Sequence, residues 1–465
     1  MNIATFDSKR ILLGLLAATG CMSCTSPSFP PGTLTLLTGQ EASAWTVDPK
    51  ASSVQVSLLE AGTRNSLAEF TLPQLSQPDS QAPIISLGHG GPEGVQVNFE
   101  ATAFDAEQNP VMHGVGSTFT LRGFDAASLY VFLGRSGFAR PFGALFSEHR
   151  HPLLTVWPNG YLFVNGSDTT GTDGAAFDVY NIARGSLLDD GPGFPLAAKS
   201  SASSHSQLLL VGDNATLWYD PVLATSTVAA APPGLVFSEV IGGKTLLAAD
   251  GTQYLVGAAR SSGDPSDKVL RVDRDGTLHT LRLGTPRLGA AVAFVAGNLL
   301  IVGGADTGAG AEVLAAGATD FASLDLPADA TQGAALAELT PSVALLIFGT
   351  DSAGAKLSTL RTLDLECTND CTTTELGSLE SSLDRVQAFT LVNQRVLVVG
   401  DAEDGETHAL SLDLSSDTPI ATEQSFRERR AGASAVLLPN GQVAVVAGDK
   451  PGSANPVSSI ELFFP

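Results

Sequence analysis

Short apolar segments that each end at a glycine recur through the last two-thirds of this 465-residue chain. Successive glycines are 45 to 51 residues apart, and they are Gly166, Gly212, Gly257, Gly303, Gly349, Gly400 and Gly448. A period near 45 residues with about four short strands per unit is typical of a β-propeller. The spacing therefore predicts an all-β protein in which residues 140–465 form a seven-bladed propeller.

The composition agrees with turn-rich β structure, because glycine is abundant (48 residues) and charged residues are few (16%). The formal net charge is −23. Nucleic-acid phosphates require Lys and Arg, so this charge argues against a nucleic-acid partner.

Residues 45–139 show a different pattern. Apolar residues alternate with polar ones at Val54, Val56 and Leu58, and again from Val95 to Ala103, as in half-buried strands. Five to seven short strands in under a hundred residues predict a small, immunoglobulin-like β-sandwich. The preceding residues, 21–44, are rich in Ser, Thr, Pro and Gly, and we expect them to form a flexible tether.

The first twenty residues have the pattern of an export signal. Lys9 and Arg10 precede an apolar run, Ile11–Ala18, that is too short to span a bilayer. The sequence ATGC that ends at Cys21 resembles the bacterial lipobox, which implies that the signal is residues 1–20 and that Cys21 carries a lipid. An ordinary secretory signal cleaved nearby is the alternative. The lipobox resemblance, with Met22 after the cysteine, implies a lipoprotein of the cell envelope, held to the outer membrane.

The last unit carries the motif PNGQVAVVAG, Pro439–Gly448, followed by Glu461, Leu462 and Phe463. These residues resemble the bacterial Kelch repeat found in secreted lipoproteins. The resemblance covers residues 140–465 and implies a propeller without catalytic activity. Galactose oxidase is a Kelch-type propeller with a copper site of Tyr and His ligands, but this chain has no matching Tyr-Cys-His set, so we predict no metal and no cofactor.

The final unit contains only three strands, and a fourth must come from elsewhere to remove the open sheet edge. The stretch Ala144–Glu148 lies just before the first unit. We expect it to pair with Ile460–Phe464 and so to close the ring.

Two cysteines lie beyond the leader, Cys367 and Cys371, in a polar turn. Export would place them in an oxidising compartment, which favours a disulfide. Free thiols are the next alternative. A metal site would need further ligands, and the sequence offers no His or third Cys nearby.

The loops after the second strand of each unit are rich in carboxylates. We expect eight of them to form an acidic binding face, namely Asp264, Asp267, Asp306, Asp351, Asp401, Glu403, Asp404 and Glu406. The basic residues in the same loops are Arg260, Lys268, Lys356 and Lys450. Such a face favours cationic partners. The segment DAEDGE from Asp401 is dense enough to suggest calcium, although turn-forming aspartates in solvent explain the same pattern.

These features predict a lipid-anchored, non-catalytic binding or scaffold protein whose propeller loops bind a protein or a glycan. The alternative is a secreted enzyme, an oxidase or a sugar-acting lyase, with its site at the central channel. Polar side chains converging in the channel from several blades would favour the enzyme. His149 and His151 are two residues apart and could point the same way, but a metal would need two more ligands. A spacer that binds nothing specific is a third possibility.

Overall fold

A computed structural model describes residues 29–41, 43–61, 63–73, 83–157, 160–166, 177–188, 196–261, 263–367, 369–380, 382–391, 395–416, 418–453 and 455–465. The described residues form an all-β protein with 36 strands and two single-turn 3-10 helices, Phe237–Glu239 and Gly257–Ala259. No helix in this described part has the length and hydropathy of a membrane span. The predicted signal, residues 1–20, and Cys21 lie outside the described residues.

The N-terminal strands form a sandwich of two sheets. The three-stranded sheet has the order β4 (Ile84–Gly88), β1 (Gly32–Leu37), β8 (Ser128–Phe132). The five-stranded sheet has the order β3 (Ser66–Leu72), β2 (Ser53–Glu60), β5 (Glu93–Phe104), β6 (Pro110–Val115), with β7 (Phe119–Arg122) also on β5. Val54, Val56 and Leu58 are fully buried between the sheets, as their alternation predicts.

The predicted tether is wrong from residue 32 onwards. β1 lies within residues 21–44, pairs with β4 and β8, and buries Leu34 and Leu36 completely. Thr33 and Thr35 alternate with these leucines, so the segment has the period of a half-buried strand despite its Ser- and Thr-rich composition.

Seven further sheets have four antiparallel strands each, and we number them blades 1 to 7 with strands a to d in chain order. Blade 1 contains β10 (Leu153–Trp157), β11 (Tyr161–Asn165), β12 (Asp178–Asn181) and β13 (Ser186–Leu187). Blade 2 contains β14 (Ser200–Ser203), β15 (Leu208–Val211), β16 (Thr216–Asp220) and β17 (Thr225–Val228). Blade 3 contains β18 (Lys244–Leu247), β19 (Gln253–Val256), β20 (Ser266–Val272) and β21 (Leu278–Arg287).

The remaining blades repeat this pattern. Blade 4 contains β22 (Ala291–Val295), β23 (Asn298–Val302), β24 (Ala311–Leu314) and β25 (Ala322–Leu324). Blade 5 contains β26 (Ala335–Thr340), β27 (Val343–Ile347), β28 (Thr359–Asp364) and β29 (Thr373–Ser378). Blade 6 contains β30 (Asp384–Thr390), β31 (Arg395–Asp401), β32 (Thr407–Asp413) and β33 (Ile420–Glu423). Blade 7 contains β34 (Ser434–Leu437), β35 (Val443–Val446), β36 (Ile460–Phe464) and, as its strand d, β9 (Gly137–Ala139).

The a strands of consecutive blades contact one another in cyclic order, as in a propeller. β10 contacts both β14 and β34, so the last blade meets the first. Between blades 6 and 7, the Gln387 side chain donates to Ala435 O and accepts from Ala435 N. The glycine-ended segments of the sequence are the b strands of these blades.

The closing strand is not the predicted one. β9 pairs with β36 through Ala139–Leu462 and Phe138–Phe463, so it supplies the fourth strand, and the propeller begins before residue 140. The predicted stretch, Ala144–Glu148, lies beside blade 7 without joining its sheet, where Leu145 N donates to Ser458 O at 2.7 Å. The pairing joins residues more than 300 positions apart, so no local pattern marks it.

Blades 1, 4 and 7 share a buried brace. A basic residue four positions before strand a bonds to an acid on strand c, in the pairs His149–Asp178, Arg287–Glu312 and Arg430–Glu461. Each acidic side chain also accepts hydrogen bonds from two backbone N–H groups. In all three blades, these groups belong to the residues two and three positions before the basic residue of the pair. Arg430 and Glu461 are completely buried, and Arg430 also donates to three carbonyls of blade 7.

The sandwich packs against blades 7 and 1. The ring of Phe132, at the end of β8, stacks on Phe464 with 5.6 Å between ring centroids. Asn440 Nδ2 donates to Val115 O at 3.2 Å, which ties a turn of blade 7 to the sandwich. A shared apolar cluster therefore joins the two parts.

Cys367 and Cys371 form the predicted disulfide, with their Cα atoms 5.7 Å apart. The bridged turn links β28 to β29 and rests on the outer edge of blade 4. There, Asp325 accepts the N–H of Asp370 on its carboxylate and the N–H of Cys371 on its carbonyl, both at 2.8 Å.

Candidate functional site

Several of the eight predicted carboxylates are already bonded to neighbouring groups. Asp267 pairs with Lys268 and Arg282, and Glu406 pairs with Arg429. Asp351 accepts the N–H groups of Ala353 and Ala355 in its own turn. Asp264, Asp306 and Glu403 have no side-chain hydrogen bond or ion pair in the described part of the chain.

The basic partners come mainly from outside the loops in which the carboxylates lie. Arg282 is on a d strand, Arg385 is the second residue of an a strand, and Arg429 lies in the connection into blade 7. In a propeller, the blade-to-blade connections share a face with the loops between strands b and c. Counting basic residues only in those loops therefore overestimates the negative charge of this face.

The segment DAEDGE does not gather its carboxylates around one point. Asp401 and Glu406 bond to different arginines, Arg385 and Arg429, and Asp404 bonds to His408. Burial favours the neutral imidazole, but the hydrogen bonds that the ring donates to Asp404 and Glu423 outweigh it, so the pKa of His408 is raised. Within the described residues, no three His, Cys, Asp or Glu side chains are grouped in a way that would hold a metal ion.

A second candidate site, distinct from the acidic loops, is indicated by the backbone conformation near the start of strand a. Just before strand a, the backbone takes a left-handed conformation at Gly242, Gly289, Gly333 and Gly432, with φ between +65° and +73°. In blade 6 the equivalent residue is Arg385, which is the second residue of strand a (β30) and has φ +49°. The equivalence is structural, because the residue before it, Asp384, pairs with Asp401 as Ala431 pairs with Asp449 in blade 7. A non-glycine residue in this conformation costs about 1–3 kcal/mol and is found disproportionately at functional sites.

The Arg385 side chain reaches across blade 7 to blade 1. Its Nη1 donates to His151 Nδ1 at 3.1 Å, although 234 residues separate the two. The pair lies over Gly432, where an added Cβ would be 2.7 Å from the His151 ring and 3.2 Å from Arg385 Nη2. Because Gly432 has no side chain, Arg385 of blade 6 and His151 of blade 1 have room to meet above it.

Asp401 fixes the position of the Arg385 guanidinium that contacts His151. Its Oδ2 accepts from Arg385 Nε at 2.6 Å and also from Nη2. Its Oδ1 accepts from the Thr407 hydroxyl at 2.8 Å and from Gly432 N at 3.3 Å. With four bonds, the Asp401 carboxylate is saturated and holds the guanidinium in one orientation.

These residues line an open depression of about 430 Å³ that also includes Asp384 and Asp449. The small residues Ala402, Gly405, Ala431 and Gly432 complete its lining. The walls of the depression therefore present both N–H donors and carboxylate acceptors.

Sequence reasoning singled out Asp401 but missed Arg385 and the role of His151. The signal was present, because the segments RLGA, TQGA and RAGA place glycine where LDRV has Arg385. The expectation that His149 and His151 point the same way is wrong. Strand a begins only at Leu153, so strand alternation does not apply, and His149 is buried in the brace while His151 is exposed.

On the a and b strands of blades 1 to 3, several polar side chains bond to the main chain of another blade. Thr245 donates to Ser201 O at 2.6 Å, Ser203 donates to Val156 O at 3.2 Å, and Gln253 also donates to Val156 O. Lys244 differs, since in the described part of the chain its Nζ reaches only Val292 O, at 3.5 Å. Burial lowers the pKa of Lys244 to about 8, which leaves it mostly protonated at neutral pH.

No family model matches the chain, and no curated protein is significantly similar to it.

Proposed function

We propose that the protein is a non-catalytic binding protein of the cell envelope, which holds a protein or a glycan in the depression around Arg385. The observation that carries the proposal is an arginine in the left-handed conformation that glycine occupies in four other blades. Its side chain is half exposed, so the strained backbone is not offset by burial of the arginine. A ligand that bonds to the guanidinium explains why an arginine, and not a glycine, occupies this backbone position.

The polar side chains on the a and b strands of blades 1 to 3 support this proposal over the enzyme. Thr245, Ser203 and Gln253 are bonded to the main chain of other blades, so these groups stabilise the blade contacts and are not free to bind a substrate. A propeller enzyme would need several unbonded polar side chains that converge on one point.

Arg385→Gly is the sharpest test of the binding site. The change restores the residue found at this position in other blades, so relief of backbone strain offsets the lost ion pair. We expect stability within about 1 kcal/mol of the wild type. Binding, in contrast, should be lost. Tagged wild type and variant should be compared for the proteins and glycans that co-purify from native envelopes, identified by mass spectrometry and sugar analysis.

The matched control is Arg429→Ala. Arg429 is also an exposed arginine bonded to a carboxylate on the same face, but it does not line the depression. We expect this variant to capture the same components as the wild type. Equal capture by the wild type and Arg385→Gly would place the binding site elsewhere.

Anchoring at Cys21 is a separate part of the proposal, supported by the lipobox resemblance. Cys21→Ser should move the protein from the membrane fraction to the soluble fraction, since a lipid chain adds about 0.8 kcal/mol of membrane affinity per buried methylene. Mass spectrometry of the wild-type N-terminus should show a diacylglyceryl cysteine. A soluble wild-type protein that begins at another residue would contradict the anchor.

A further inference from the structure

The charged side chains that line the Arg385 depression are paired with opposite charges. The depression has three carboxylates, each within ion-pair distance of one cation, in the pairs Asp384–Lys356, Asp401–Arg385 and Asp449–Arg150. His151 adds no charge, because its Nδ1 accepts from a guanidinium, which can only donate, and the ring proton must therefore be on Nε2. The chain as a whole carries −23, so this neutrality is local.

The depression still has both hydrogen-bond donors and hydrogen-bond acceptors that are free to bind a ligand. Arg385 has five N–H groups, of which two bond to Asp401 and one to His151, so two remain. His151 Nε2–H adds a third donor. On the acceptor side, Asp384 is half exposed, and Asp449 is about a third exposed, with its Oδ1 lying 3.5 Å from Arg150 Nε. Both carboxylates can therefore accept hydrogen bonds from a ligand in the depression.

We propose that this depression binds a neutral polyhydroxyl compound, that is, a saccharide without charged groups; the inference rests on the proposed function. A hydroxyl both donates and accepts, so one hydroxyl can accept from Arg385 and donate to Asp449 or Asp384. An anionic ligand would face three carboxylates, and a cationic ligand would face Arg385, Arg150 and Lys356. A protein partner would need a large apolar or aromatic anchor at the centre of its contact, and the small side chains here offer no pocket for one.

The volume agrees with this assignment. A depression of about 430 Å³ is within the range of about 300–1,000 Å³ for small-molecule sites, and it is open enough for a chain of sugars to continue into solvent. The site thus accommodates one or two sugar units of a longer glycan.

The test is a titration of the purified protein, monitored by ligand-observed NMR, in three arms. The arms are neutral mono- and disaccharides, disaccharides that contain a uronic acid, and a short lysine-rich peptide. We expect a neutral saccharide to bind with a Kd on the order of 1 mM, as is ordinary for a small polar ligand. Because the ligand is uncharged, raising the salt from about 50 to about 500 mM should change its affinity less than about twofold.

Variants locate the site. Arg385→Gly and Asp449→Ala should each weaken saccharide binding about tenfold or more, since each removes a charge-assisted hydrogen bond. Arg429→Ala should bind as the wild type does. If only the acidic saccharide or the peptide binds, and does so through Arg385, the saccharide assignment is wrong while the proposed function stands. If no arm binds and envelope capture is also independent of Arg385, both are wrong.

Discussion

Replacing Arg430 by alanine is expected to lower the free energy of unfolding by about 3–5 kcal/mol. Arg430 is fully buried, and its removal leaves the Glu461 carboxylate without its cation in the interior of blade 7. The carbonyls of Val445, Ala447 and Ser459 also lose a donor. Urea denaturation followed by circular dichroism measures the change.

The adjacent residue gives the control. Arg429 bonds to Glu406 at the surface, where an exposed ion pair contributes about 0–1 kcal/mol, so Arg429→Ala should unfold close to the wild-type midpoint. Equal effects of the two substitutions would show that the buried brace does not hold blade 7 together.

Phe464→Ala is expected to cost about 3–5 kcal/mol, the usual range for deletion of a buried aromatic side chain. Phe464 is 2% exposed and stacks on Phe132, so its loss leaves a cavity where the sandwich meets the propeller. We expect limited proteolysis to cut the chain between residues 132 and 145 faster in this variant than in the wild type.

Phe146→Ala provides the comparison for this variant. Phe146 is 56% exposed, and the hydrogen bond that it makes to Asp178 comes from its backbone, which the substitution keeps. We expect a change within about 0.5 kcal/mol. A Phe464→Ala protein that resists protease as well as the wild type would mean that the stacked pair does not hold the two parts together.

The repeated fold could be predicted from the sequence because its signal is local. Each b strand is a short apolar run followed by glycine, and the distance to the next one is the length of one four-stranded unit. The alternation in β2 and β5 predicted the sandwich for the same reason. The identity of the closing strand could not be predicted, because Gly137–Ala139 is three residues long and its partner lies at the other end of the propeller.

The candidate site was only partly accessible to sequence reasoning. Asp401 was found from its place after a b strand, but its neighbours were not, since Arg385 and His151 meet only when blades 6 and 1 are brought to either side of Gly432. The sequence predicted the carboxylates of the loops but not the arginines that pair with them. The arginines that pair with Asp267 and Glu406 belong to different segments of the repeat.

Because β9 pairs with β36, blade 7 can be completed only after residues near position 464 have been synthesised. β9 is synthesised more than 300 residues before its partner, so blades 1 to 6 can form while blade 7 still lacks its third strand. Until β36 arrives, Val443–Val446 and Gly137–Ala139 each present an unpaired edge, and the space between blades 6 and 1 is open. The depression around Arg385 spans that same gap, so ligand binding should appear only in molecules whose synthesis has passed Phe464. The proposed binding at this depression therefore depends on strand β36 as well as on Arg385 and His151.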